Sequence, residues 1–226
     1  MLKKFNFLKN VGAGYLTVFI TSALGLYSVP LAINYFGAKA YGIWVLASSI
    51  SAYLALSNFG IPTASSAMIS KSKDSSLQNE IIIKTVFLLA LISLLVLFLL
   101  LIINVLYPNW PGLFGDYDHK TTSIIKSVMI IMLLGFLFRA PFQIALTAFS
   151  ALQKSYITKM YDLAMIILNF VMLLLVVSYE YDVVTLAYFT TMGNIFVNIS
   201  VLVHLYFTRR KILFKTKQVK IGRAHV

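Results

Sequence analysis

Tyr35-Phe36-Gly37-Ala38-Lys39-Ala40-Tyr41-Gly42-Ile43-Trp44, running on to Tyr53-Leu54-Ala55-Leu56-Ser57-Asn58-Phe59-Gly60-Ile61-Pro62, is the stretch that decides the fold. It joins two runs, residues 10–38 and 40–70, that contain no Asp, Glu, Lys or Arg, and Lys39 alone separates them. A bilayer-spanning helix needs about 20 mainly apolar residues, so each run is long enough to cross. The stretch therefore reads as the tip and return limb of a membrane hairpin. Gly60 and Pro62 mark a bend in the return limb, because small or ring-constrained residues weaken a helix locally. Pro30 is a second candidate kink, in the outgoing limb.

The rest of the chain has the same character. Of 226 residues, 60% are hydrophobic and 12% charged, with a mean hydropathy of +0.87, whereas a soluble domain carries about 25% charged residues. This composition predicts an all-α integral membrane protein. The spans are too continuously rich in Leu, Ile and Phe for transmembrane strands, which alternate around a polar lumen. Helices are the remaining way to satisfy the backbone in lipid. Charge-free runs also occupy 85–115 and 183–208, and two further spans carry ionisable residues, Arg139 in one and Asp162 at the start of the other. Six helices follow, at about 11–35, 41–68, 81–107, 122–150, 160–179 and 184–208.

Lys3, Lys4 and Lys9 before an apolar run also open a signal peptide. The run is too long for an h-region and no small-x-small site closes it, so the first span reads as retained. With the N-terminus cytoplasmic, one side of the membrane holds Lys71, Lys73, Lys84, Lys154, Lys159 and the basic segment 209–220. The other holds Lys39, Lys120 and Lys126. The positive-inside rule then puts both termini in the cytoplasm. The net charge of +12 is a matter of topology rather than of nucleic-acid binding, since the basic residues flank apolar spans.

The chain divides into a transmembrane lobe, 1–208, a basic tail or linker, 209–220, and Ile221-Gly222-Arg223-Ala224-His225-Val226. These last six residues match a forward reading of a common sequencing adapter, ATC GGA AGA GCA CAC GTC. They read as an artefact that interrupts the natural frame near Lys220, making the chain an N-terminal portion of a longer protein.

Cysteine is absent, which excludes disulfides, thiolate metal sites and Cys nucleophiles. No phosphate-cradling glycine loop, nucleophile elbow or HExxH occurs. Asp116-x-Asp118-His119 is an outer-loop turn with metal-ligand residue types and the ordinary look of a solvated turn. The reading is a transporter rather than an enzyme, with no cofactor.

Arg139 is the outstanding intramembrane residue, because a cation at a helix centre costs about 2.5–3.5 kcal/mol to insert. Gln143 lies four positions on, on the same helix face, and Pro141 interrupts the ladder between them. Two readings of Arg139 stand. It contacts an anionic substrate, since a guanidinium forks two hydrogen bonds onto phosphate oxygens, or it is structural, satisfying backbone carbonyls freed at Pro141 or pairing with an acid elsewhere in the bundle. Asn169, Asn194 and Asn198 are further polar groups within spans, the last two at i, i+4, and such amides either glue helices together or line a hydrated cavity.

The opening stretch resembles the FG…YGxW…Y…L…(D/N)xG(I/L) pattern of the polysaccharide flippases. These are the Wzx-like exporters of O-antigen and other lipid-linked oligosaccharides, in the multidrug/oligosaccharidyl-lipid/polysaccharide transporter superfamily. Phe149-Ser150-Ala151-Leu152-Gln153-Lys154 is similar to a second motif of that family, ending in LQ(K/R), and extends the resemblance over most of residues 10–208. The resemblance implies the first six-helix lobe of a two-lobed exporter in the bacterial cytoplasmic membrane. It implies an undecaprenyl-pyrophosphate-linked oligosaccharide as substrate, the second lobe and membrane lipids as partners, and coupling to H+ or Na+. Arg139, Gln143, Asn169, Asn194 and Asn198 become the substrate-binding candidates, and Pro30, Asn58, Gly60 and Pro62 the gating or hinge candidates. Asn58 stands where many such flippases carry Asp, which removes a carboxylate relay at that position. The alternatives are a drug/cation antiporter of the same superfamily, expected to carry midplane acids, a membrane enzyme of the glycan pathway, and a portion without activity of its own.

Overall fold

The computed structural model describes residues 2–54, 58–115 and 117–222, with side chains described from residue 9 to residue 208. It is all-helical, and no strand occurs among the described residues. The helices are α1 (Leu2–Leu54), α2 (Ile61–Lys71), α3 (Ser75–Leu106), α4 (His119–Arg139), α5 (Gln143–Ala151), α6 (Ser155–Ser178) and α7 (Val183–Gly222). Short 3-10 turns occupy Trp110–Phe114 and Ala140–Phe142. Five helical stretches are long and apolar enough to cross a membrane: Lys9–Leu54, Ser75–Leu106, His119–Ala151, Ser155–Ser178 and Val183–Thr208.

The first of these is two crossings. α1 is interrupted at Gly37, whose φ of 78° and ψ of 159° belong to a region essentially restricted to glycine. The chain reverses there, as its neighbours show. Asn10 Oδ1 accepts from the Tyr156 amide at 2.8 Å and the Tyr35 hydroxyl donates to the Tyr181 carbonyl at 3.0 Å, so the outgoing limb runs alongside α6 in the same direction. The return limb runs with α4 instead, from Lys39 paired to Asp118 at 3.2 Å to Asn58 bonded to Gln143 at 2.8 Å. A tight turn after α5 makes α6 antiparallel to α4 and α5, so the two limbs of α1 are antiparallel as well. Counting the two limbs separately, the described helices are compatible with the six expected spans. Four boundaries shift most, the first being the start of α1, at Leu2 rather than 11. α3 begins at Ser75 rather than 81, because Asp74 caps it by accepting from the Ser76 amide. α6 starts at Ser155, and α7 continues to Gly222.

Two crossings are discontinuous. The second stops at Leu54 and resumes at Ile61, with Asn58 in a single 3-10 position and Phe59 and Gly60 both at positive φ. Residues 55–57 lie outside the described part. The fourth changes from α to 3-10 geometry over Ala140–Phe142, where Pro141 supplies no amide to the ladder. Pro30 does not interrupt α1, whose only non-helical residue is Gly37.

Apolar packing is concentrated at the two ends. One cluster joins Ile69, Ile81, Ile82, Ile144, Phe149 and Leu205 at the end where α2 meets α5. Two others, around Ile43, Ile125 and Val128 and around Ala32, Leu173 and Val176, fill the end near Gly37. There Asp118 caps α4, accepting from the Thr121 amide and hydroxyl as well as from Lys39. These hydrogen bonds, the Thr121 hydroxyl first, hold its carboxyl well below the ordinary carboxylate range.

Candidate functional site: a cationic cavity between the packed ends

Between the clusters the bundle opens. A cavity of about 290 Å³ is lined by Ser48, Ser51, Arg139, Asn169, Thr190 and Asn194, together with Trp44, Phe136 and Thr191. Its walls come from the return limb of α1, the end of α4, and the middles of α6 and α7. Arg139 is partly buried and sits on the last turn of α4, just before the 3-10 break. The helix tightens to 3-10 geometry just after Arg139 and continues as α5, with Arg139, Ala140 and Gln143 all right-handed helical, so the residue lies within a continuous helical stretch and lines a void.

Among the described residues no carboxylate comes within ion-pair distance of Arg139, and no hydrogen bond from it is formed. Asp162, the acid whose field reaches it, already pairs with Lys159 at 3.4 Å. The other walls carry acceptors. Asn169 Oδ1 and Asn194 Oδ1 are both buried without a hydrogen-bond partner, a condition that costs about 1–3 kcal/mol per group unless something fills it. Hydroxyl protons are already committed: Ser48 donates to the Trp44 carbonyl, Ser51 to Ala47 and Thr190 to Leu186. Their lone pairs are what remain to face the cavity. The site thus presents one forked cationic donor opposite an acceptor-rich wall.

Close helix approach shapes it. A Cβ on Gly135 would strike the Thr191 methyl, and one on Gly193 would meet Leu168 Cδ2 at 2.8 Å. These glycines let α4 approach α7, and α7 approach α6, around the cavity.

Of the sequence candidates, Arg139, Asn169 and Asn194 converge here from three helices. Gln143 and Asn198 do not line the cavity. Gln143 Oε1 accepts from Asn58 Nδ2 at 2.8 Å, tying the break in the second crossing to the break in the fourth. Asn58 is 6% exposed and Gln143 half-buried, so this is a part-buried bond between the two interruptions. Gly60 supplies the left-handed residue before α2 and Pro62 lies in its first turn. Asn198 is buried on α7, donating to its own helix at the Asn194 carbonyl and lying against Met165 Sδ. In the outer loop, Asp118 is occupied by Lys39 and Thr121, and Asp116 lies outside the described residues. No cluster of metal-ligating side chains forms among the described residues.

Ser48, Ser51, Thr190 and Thr191 were not singled out from the sequence. A usable signal exists: Ser48 and Ser51 are spaced i, i+3, and Thr190 and Asn194 i, i+4, which puts each pair on one face of an apolar helix. Neither a family model nor a curated protein nor a solved structure matches the chain.

Proposed function

We propose that this chain is the first lobe of an exporter that moves a lipid-linked oligosaccharide from the cytoplasmic to the outer leaflet of a bacterial cytoplasmic membrane. The observation that carries the reading is Arg139, a cation facing a polar cavity inside an apolar bundle with no acid paired to it among the described residues. Ionisable groups at membrane depth are expensive, and they mark substrate or ion pathways. A phosphate diester or pyrophosphate supplies the missing counter-charge. Sugar hydroxyls supply protons for the unpartnered carbonyls of Asn169 and Asn194. The resemblance of the 35–62 hairpin to the flippases points the same way, and the positive-inside distribution orients both termini to the cytoplasm. The antiporter reading is less favoured, since no carboxylate lines the cavity.

Export of a surface glycan, measured by labelling intact cells in a strain dependent on this gene, tests the proposal. A charge-assisted hydrogen bond contributes about 1.5–3 kcal/mol. Arg139→Ala therefore lowers export by about ten- to a hundredfold at unchanged membrane level, with partial recovery in Arg139→Lys. Full export by Arg139→Ala would refute it.

A further inference from the structure

A second cavity, about 280 Å³, adjoins the first. It lies toward the Gly37 end, between the outgoing limb of α1 and α6, and its wall is mainly hydrocarbon, with Leu24, Val29, Ile166, Phe170 and Leu173 prominent. Of the hydroxyls that line it, Thr21, Ser28 and Thr190 are turned back on their own helices, to the Thr17, Gly25 and Leu186 carbonyls, and Tyr41 adds a phenol. Trp44, Asn169 and Thr190 line both cavities, so the two adjoin at these side chains as neighbouring parts of a cleft between the helices, the first lined by Arg139 and the second mainly apolar. The apolar chamber reaches the surface between α1 and α6, where Val29 is 41% exposed and Tyr27 stands edge-on to Phe170 with ring centroids 5.9 Å apart.

We propose that the cleft binds one amphiphile lengthwise, with its phosphate at Arg139 and the first part of its hydrocarbon chain in the Leu24–Phe170 chamber. The inference rests on the reading of Arg139 as a phosphate contact and adds a place for the chain within this lobe. The chemistry of the walls selects the occupant. A mainly hydrocarbon wall offers a free phosphate few partners, whereas a hydrocarbon chain covalently tied to a phosphate in the neighbouring cavity matches both walls, with Trp44 beside the junction. Gly25 lines this cavity and supplies the means of testing the inference, since a Cβ there meets nothing within 4 Å.

The test uses the full chain in phosphatidylcholine nanodiscs. Binding of radiolabelled dodecyl phosphate and of inorganic phosphate is measured, and a mid-chain brominated dodecyl phosphate serves as a contact quencher of Trp44 in a Trp110→Phe background, which leaves Trp44 as the single tryptophan. The expected result is dodecyl phosphate binding at least about tenfold tighter than inorganic phosphate, with saturable quenching. Gly25→Phe should remove that advantage and the quenching while retaining phosphate binding, which shows the variant is folded. Arg139→Gln should weaken both ligands. Equal affinity for the two ligands, or undiminished chain binding in Gly25→Phe, overturns the chain site while leaving Arg139 as a phosphate contact. Unchanged binding of both ligands in Arg139→Gln overturns the phosphate reading and this inference with it.

Discussion

Asn169 and Asn194 each hold a side-chain carbonyl buried and unpartnered beside Arg139, and their cost is what distinguishes a ligand site from packing. An amide retained to hold helices together would be satisfied by a neighbouring helix, whereas Asn198 is satisfied within α7, its Nδ2 donating to the Asn194 backbone carbonyl. An unsatisfied acceptor subtracts about 1–3 kcal/mol from stability when the cavity is empty. Asn169→Leu is therefore expected to leave thermal stability unchanged or raise it, while export falls. A drop in melting temperature of the size seen for a lost buried hydrogen bond would instead make Asn169 a structural residue. Arg139 was legible in the sequence because one charge in a long apolar run stands out. The difference between Asn194 and Asn198 was not, since both lie on one helical face and only the positions of α4 and α6 separate cavity from contact.

At the scale of elements, the second and fourth crossings are each broken, and the two breaks are joined by the Asn58–Gln143 hydrogen bond. α2 and α5, which follow the breaks, share the cluster around Ile69 and Phe149, whereas the segments before the breaks pack in the cluster around Ile43 and Ile125. The interruptions thus divide the lobe into two separately packed halves with the cationic cavity between them. Gln143→Ala strands the buried Asn58 amide and should destabilise by about 1–3 kcal/mol, Asn58→Ala leaves only the half-buried Gln143 unpaired and should cost less, and the double variant should cost little more than Gln143→Ala alone. Chemical denaturation in mild detergent reads this, and additive losses would show that the bond does not couple the breaks. Gly60, Pro62 and Pro141 announced the bends. Their pairing was not legible, because 85 residues separate Asn58 from Gln143.

At the scale of the whole molecule, the reversal at Gly37 decides whether the chain crosses five times or six. Because the protein contains no cysteine, single cysteines report topology without background. Lys39→Cys and Asp182→Cys are expected to react with an impermeant maleimide from one face of the membrane, and Lys71→Cys and Lys154→Cys from the other. Lys39 and Lys71 labelling from the same face would eliminate the reversal. Composition and apolar run length were enough to read a set of long apolar helices compatible with a membrane bundle, because hydrocarbon demands about 20 apolar residues with an internally bonded backbone and leaves that pattern in the one-dimensional chain; the reversal at Gly37 came from the structure. Only the tertiary structure decided which polar groups meet. Arg139, Asn169 and Asn194 come together through the close approaches at Gly135 and Gly193, while Gln143, one turn from Arg139, is claimed by Asn58. Apolar periodicity says that a helix is buried in lipid or protein, but the partner of a polar side chain depends on how neighbouring helices are placed around it, and that placement is a property of the packed bundle.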